Sequence, residues 1–166
     1  MSDRSVTRGV IEATLTELTL VSRQLNPECL STDECVAYLR LGGLGRVGVV
    51  AAGVAVVLPV NFVWREGFIE FRTSIGVKLQ AVLTDSVLSF EIDHHDPSAG
   101  EGWSVLVFGI ATATTDTAEL EAAAQAGLDP QAPGQRDYLV KVQPFLVTGR
   151  RFGHPDDLHH LHLGIL

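Results

Sequence analysis

The sequence predicts a mainly β (α+β) chain, a small closed or half-open antiparallel barrel of six strands with short flanking helices. Three observations predict it. Six or so stretches rich in valine and aromatic residues follow one another, divided by short turn signals. No regular alternation of strand and helix demands a doubly wound parallel sheet. Hydrophobic residues are 46% of 166 residues against 19% charged, with mean hydropathy +0.22. That supports one core without disulfide or metal staples, and excludes a disordered chain.

Each element has a local reason. Ile11, Leu15, Leu18 and Leu25 recur at near-helical spacing across residues 8–25, predicting a first amphipathic helix that Asn26-Pro27 ends. Ser31 and Glu34 form a capping-box pair ahead of Val36, Leu39 and Leu41, and Gly42-Gly43 closes this second helix. Strands are expected over 46–51, 54–63 and 67–73, with turns at Ala51-Ala52-Gly53 and Arg65-Glu66-Gly67. Val77, Leu79, Val82 and Leu83 suggest a short helix over 75–84. A fourth strand spans 86–94, a loop covers Asp96 to Gly100, and a fifth strand spans 103–114 with Gly109 as a bulge or bend. Asp116 caps an alanine-rich helix to about Ala126, residues 128–136 form a loop, and Tyr138–Gln143 with Phe145–Phe152 give one or two final strands. The chain divides into a helical extension (1–27), the barrel (28–152) and a histidine-rich tail (153–166).

Eighteen uncharged residues, Val47 to Trp64, reach the length of a membrane-spanning helix. Eight valines, Pro59 and a central Gly53 make them two buried strands instead, so no membrane partner is expected. Twenty acidic against 12 basic residues give a net charge of −8, and only Lys78 and Lys141 are lysines. Nucleic acid is therefore not an expected partner, because phosphate neutralisation needs clustered cations. An anionic ligand must be met locally. The first ten residues show no secretory pattern, and Cys29 and Cys35 alone make neither a disulfide framework nor a zinc site, so a reduced, cytoplasmic chain is expected. His154, His159, His160 and His162 crowd the tail beside Asp156 and Asp157, yet a packed or frayed tail is preferred and no metal is assigned.

The densest polar cluster is Phe71-Arg72-Thr73-Ser74-Ile75-Gly76-Val77-Lys78, where a strand hands over to a helix. Two cations, two hydroxyls and the free N–H groups of a helix start are the components of a phosphomonoester site. The same residues also read as an N-cap, Ser74, flanked by two solvated cations.

Gly45-Arg46-Val47-Gly48-Val49, Leu58-Pro59-Val60-Asn61-Phe62, Phe71-Arg72-Thr73 with Gly76 and Lys78, and Gly102-Trp103-Ser104-Val105 together resemble the pyridoxamine 5'-phosphate oxidase-like family of FMN-binding split β-barrels. Arg136-Asp137 and Val147-Thr148-Gly149-Arg150-Arg151 extend the likeness, which covers roughly 28–152. The resemblance implies a flavin-dependent oxidoreductase acting on a small molecule, with FMN at a homodimer interface. It implies that Arg72 and Lys78 hold the phosphate with Thr73 adding a hydroxyl or amide, that Phe71 is also cofactor-binding, that Pro59, Val60 and Asn61 run beside the ring, and that Trp103 and Ser104 reach the cofactor, often from the second subunit. Asn61 reads equally as satisfying a loop carbonyl, and Trp103 as a core or interface anchor. Arg150 and Arg151 read as solvated strand-end cations or as phosphate ligands, and His94-His95 as exposed loop residues. Arg151 and His154 echo only loosely the arginine and histidine with which the oxidases grip substrate phosphate. No catalytic acid or base stands out. The alternatives are a deazaflavin- or haem-binding relative, or a ligand-binding dimer without turnover.

Overall fold

A computed structural model describes residues 29–51, 53–74, 76, 87–128 and 138–153, together with Ala13 and Glu17, which are helical. The expected helix at 75–84, the tail beyond Gly153, Arg136-Asp137 and Lys78 lie outside the described residues, as does the helix at 8–25 apart from those two positions.

Six strands close one antiparallel barrel in the order β1-β2-β3-β6-β5-β4. They are β1 (Gly43–Ala51), β2 (Val54–Arg65), β3 (Phe68–Thr73), β4 (Val87–Asp96), β5 (Glu101–Thr114) and β6 (Tyr138–Phe152). Helix α1 (Thr32–Leu39) precedes them and α2 (Thr117–Gln125) lies between β5 and β6. The mainly β class is as expected, and the uncharged run forms the β1–β2 hairpin, with Gly53 at φ +78° in its turn. Among the described residues no helix is long and apolar enough to cross a membrane.

Several boundaries differ from the sequence reading, and pairing explains them. β1 begins at Gly43 rather than 46 because the β1–β2 ladder runs on to Gly43↔Phe62. β4 and β5 likewise extend to Asp96↔Glu101 at their hairpin. The final segment is one strand. Its register shifts between Phe108↔Leu146 and Gly109↔Pro144, so the extra residue of the bulge is Phe145, not Gly109. Gly109 is required for another reason: a Cβ there would lie 2.5 Å from Val142 Cγ1.

Alternation puts Val47, Val60, Phe62, Ile69, Phe71, Phe90, Val105, Val107, Val140 and Val142 inside. α1 plugs one end of the barrel. Its Cys35 and Leu39 are fully buried, and the capping box forms: Ser31 Oγ accepts from Glu34 N at 3.3 Å, and Glu34 Oε2 accepts from Ser31 N at 2.8 Å. α2 covers part of the outside, where Ala123, Leu128 and Leu139 make a second small core.

Candidate functional site

Strand parity divides the predicted site residues. Val60 (4% exposed), Phe71 (0%) and Thr73 (6%) point into the barrel, so the first two are core side chains and present only backbone to the outside. Pro59, Asn61 and Arg72 face outward, and the register gathers them. Leu44 pairs with Asn61 and Arg46 with Pro59. Continuing the β2–β3 ladder from Phe62↔Phe71 sets Asn61 opposite Arg72. One outer face of β1, β2 and β3 thus carries an amide, two guanidiniums and the apolar Leu44 and Pro59. Thr73 stands at the strand end, its Oγ1 donating to Ser74 O at 3.2 Å.

Arg46 is the member that the sequence reading left unassigned. Its Nη1 donates to Glu91 Oε2 at 2.9 Å and to Asp93 Oδ1, both on β4. The two carboxylates raise its pKa, Asp93 contributing most. A signal existed: a charged side chain alternating with inward Val47 and Val49 in an apolar strand has to point outward.

Trp103 and Ser104 are neighbours on β5 that face opposite ways: Trp103 shares the inward side of Val105, and Ser104 the outer side beside Asp93. Trp103 stacks on Tyr38 of α1, with ring centroids 4.0 Å apart and planes at 19°, which is the anchor that the sequence reading weighed against a cofactor role. Arg151 joins it there, exposed to solvent while bonded to Glu34 at 3.0 Å and to the Tyr38 side chain. Arg150 is exposed. Ser104 is half-buried between Asp93 and Arg150 in register. β1 and β4 separate it from Asn61, three inter-strand steps or about 14 Å along the surface. Trp103 thus lies against α1 on the inner side, while Ser104 shares the outer face with Asp93 and Arg46. His94 and His95 end β4 exposed, and no metal-competent cluster occurs among the described residues.

Two further features frame the face. Val50 (57% exposed), Val57 (66%) and Leu106 (36%) make the barrel wall beside Arg46 apolar and uncovered. Under α2 the fully buried Glu70 accepts two bonds from Arg65, at 2.9 and 3.0 Å, with Lys141 3.8 Å away. This network ties β3 to β2 and β6 two residues before Arg72.

A sequence profile of the family described as pyridoxamine 5'-phosphate oxidase matches residues 31–151. The chain is 31% identical over 141 residues to the uncharacterized protein Rv0080 of Mycobacterium tuberculosis, covering 78% of this chain and 92% of that one. Among solved structures, the FAD binding protein from Mycobacterium smegmatis is 35% identical with a TM-score of 0.63, over 76% of this chain and 99% of that chain. A candidate pyridoxamine 5'-phosphate oxidase from Corynebacterium glutamicum is 31% identical with a TM-score of 0.65, over 76% and 98%.

Proposed function

The chain belongs to the pyridoxamine 5'-phosphate oxidase family, and from that premise we propose that it is a flavin-binding oxidoreductase acting on a small molecule. The observation that carries this reading is the outer-face row of Arg72, Asn61 and Pro59, on the strands that bear the family likeness. A flavin has a flat ring, a hydrogen-bonding pyrimidine edge and a phosphate. Arg72 supplies donors for the phosphate, Lys78 follows in sequence, and Asn61 supplies an amide for the ring edge. Pro59 and Leu44 supply apolar surface. Bound there, the flavin supplies hydride or single-electron chemistry, while the protein binds and orients it.

FMN is the first reading, since the Arg72 guanidinium stands at one strand end with Lys78 six residues on in sequence, a set suited to a single phosphate. FAD is the second, favoured by the 35% identical FAD binding protein. Trp103 and Ser104 reach the same cofactor from a second copy, so the reading includes a homodimer with the flavin at its interface.

Purified protein is expected to show the visible absorption bands of flavin, or to acquire them with added FMN or FAD. Chromatography of the released cofactor separates the two. Arg72→Ala is expected to weaken FMN binding about 10- to 100-fold, the loss of one charge-assisted bond. A protein that is colourless as isolated and ignores both flavins overturns the reading.

A further inference from the structure

Arg46 has no structural need to stand where it does. Exposed ion pairs stabilise little, yet Arg46 stands between the exposed apolar Leu44 and Val50 on the outer side of β1, paired with two carboxylates of β4. Its place relative to Arg72 is informative. The two arginines share one face, two strands and one side-chain row apart, about 12 Å, with Asn61 and Pro59 between them. A phosphorylated flavin has two electron-rich ends, the phosphate and the pyrimidine-dione edge, joined by a flexible chain.

We propose that Arg46 is a flavin-binding residue that donates hydrogen bonds to the pyrimidine edge of the ring, held in position by Glu91 and Asp93. The proposal rests on the flavin reading above and adds a residue to it. Guanidinium carries five N–H donors in a rigid fork. Both carboxylates bind Nη1, which leaves the Nε and Nη2 donors outside these bonds and fixes the direction of the fork. The charges also have a consequence: one cation with two anions leaves a local charge of −1. Arg46 therefore offers donors without excess positive charge, recognising the ring while giving little added stabilisation to a reduced, anionic flavin. Glu91 and Asp93 are positioning residues in this arrangement.

Riboflavin, which lacks the phosphate, separates the two arginines. The wild-type protein, Arg46→Ala and Arg72→Ala are titrated with riboflavin and with FMN by flavin fluorescence, circular dichroism confirming the fold. Arg46→Ala is expected to weaken both ligands by the same factor, about tenfold or more, whereas Arg72→Ala weakens FMN alone. Arg46→Lys keeps a cation for Glu91 and Asp93 but loses the fork, and is expected to reproduce the loss for both ligands should Arg46→Ala fail to fold. Asp93→Asn removes one negative charge, so the midpoint potential of the bound flavin is expected to rise. Variants at Arg46 that bind both ligands like wild type, or lose FMN alone, overturn the assignment and leave the flavin reading standing. A wild-type protein that binds neither ligand overturns both.

Discussion

Glu34 shows how much one side chain holds. It closes the capping box with Ser31 and also accepts from Arg151, 117 residues away. The Ser31 backbone bond, then the Ser31 hydroxyl, then Arg151 lower its pKa below the ordinary carboxylate value. A depressed carboxylate contributes stability above its unfolded pKa and loses it as pH falls through the folded value. The melting temperature of the wild type is therefore expected to converge on that of Glu34→Gln as pH falls below the ordinary carboxylate range, with the gap largest near neutrality. The Ser31–Glu34 spacing was legible in sequence; the Arg151 contact was not. Glu70 behaves differently, because its side chain is 1% exposed and its partner Arg65 23%. Arg65→Ala leaves a buried carboxylate with Lys141 as its remaining ion-pair partner among the described residues, and is expected to cost about 3 kcal/mol or more in denaturant unfolding. Glu70→Gln, which removes the charge itself, is expected to cost less.

The docking of α1 into the barrel core buries Cys35 and Leu39 completely. It depends on Gly149 of β6, where a Cβ would lie 2.6 Å from Cys35 Sγ and 2.9 Å from Leu30 Cδ1. Gly149→Ala is expected to destabilise by about 1–3 kcal/mol through overpacking. Adding Cys35→Ala is expected to recover part of that loss, a coupling that a double-mutant cycle of thermal melts reads directly. The sequence showed Gly149 within a family-like run but not why glycine stands there, since Cys35 lies far away along the chain. Strand ends carry the same lesson. Gly43 looks like a helix terminator locally, and φ +112° suits that role, yet it also opens β1 because Phe62 is available to pair with it. Local propensity set where strands start to be favourable, while their partners set where they stop.

Across the whole molecule, the uncovered wall of Val50, Val57 and Leu106 beside the Arg46 cluster is the surface that the proposed homodimer would cover. Sedimentation is expected to give a dimer for the wild type and a monomer for Val57→Lys combined with Leu106→Lys, with flavin affinity falling in step. A monomeric wild type that binds flavin fully would remove the second subunit from the site. The amino-acid sequence by itself determined the strands, the hairpin in place of a membrane helix, the scarcity of cations and the family, because side-chain period, turn residues and motif order are local properties of the chain. Only the tertiary structure decided which site residues share a face. Parity sent Val60 and Phe71 inward, register brought Asn61, Arg72 and Arg46 together, and barrel closure carried Trp103 away to Tyr38. Those outcomes depend on how six ladders add up around a closed sheet, and no single segment carries that sum.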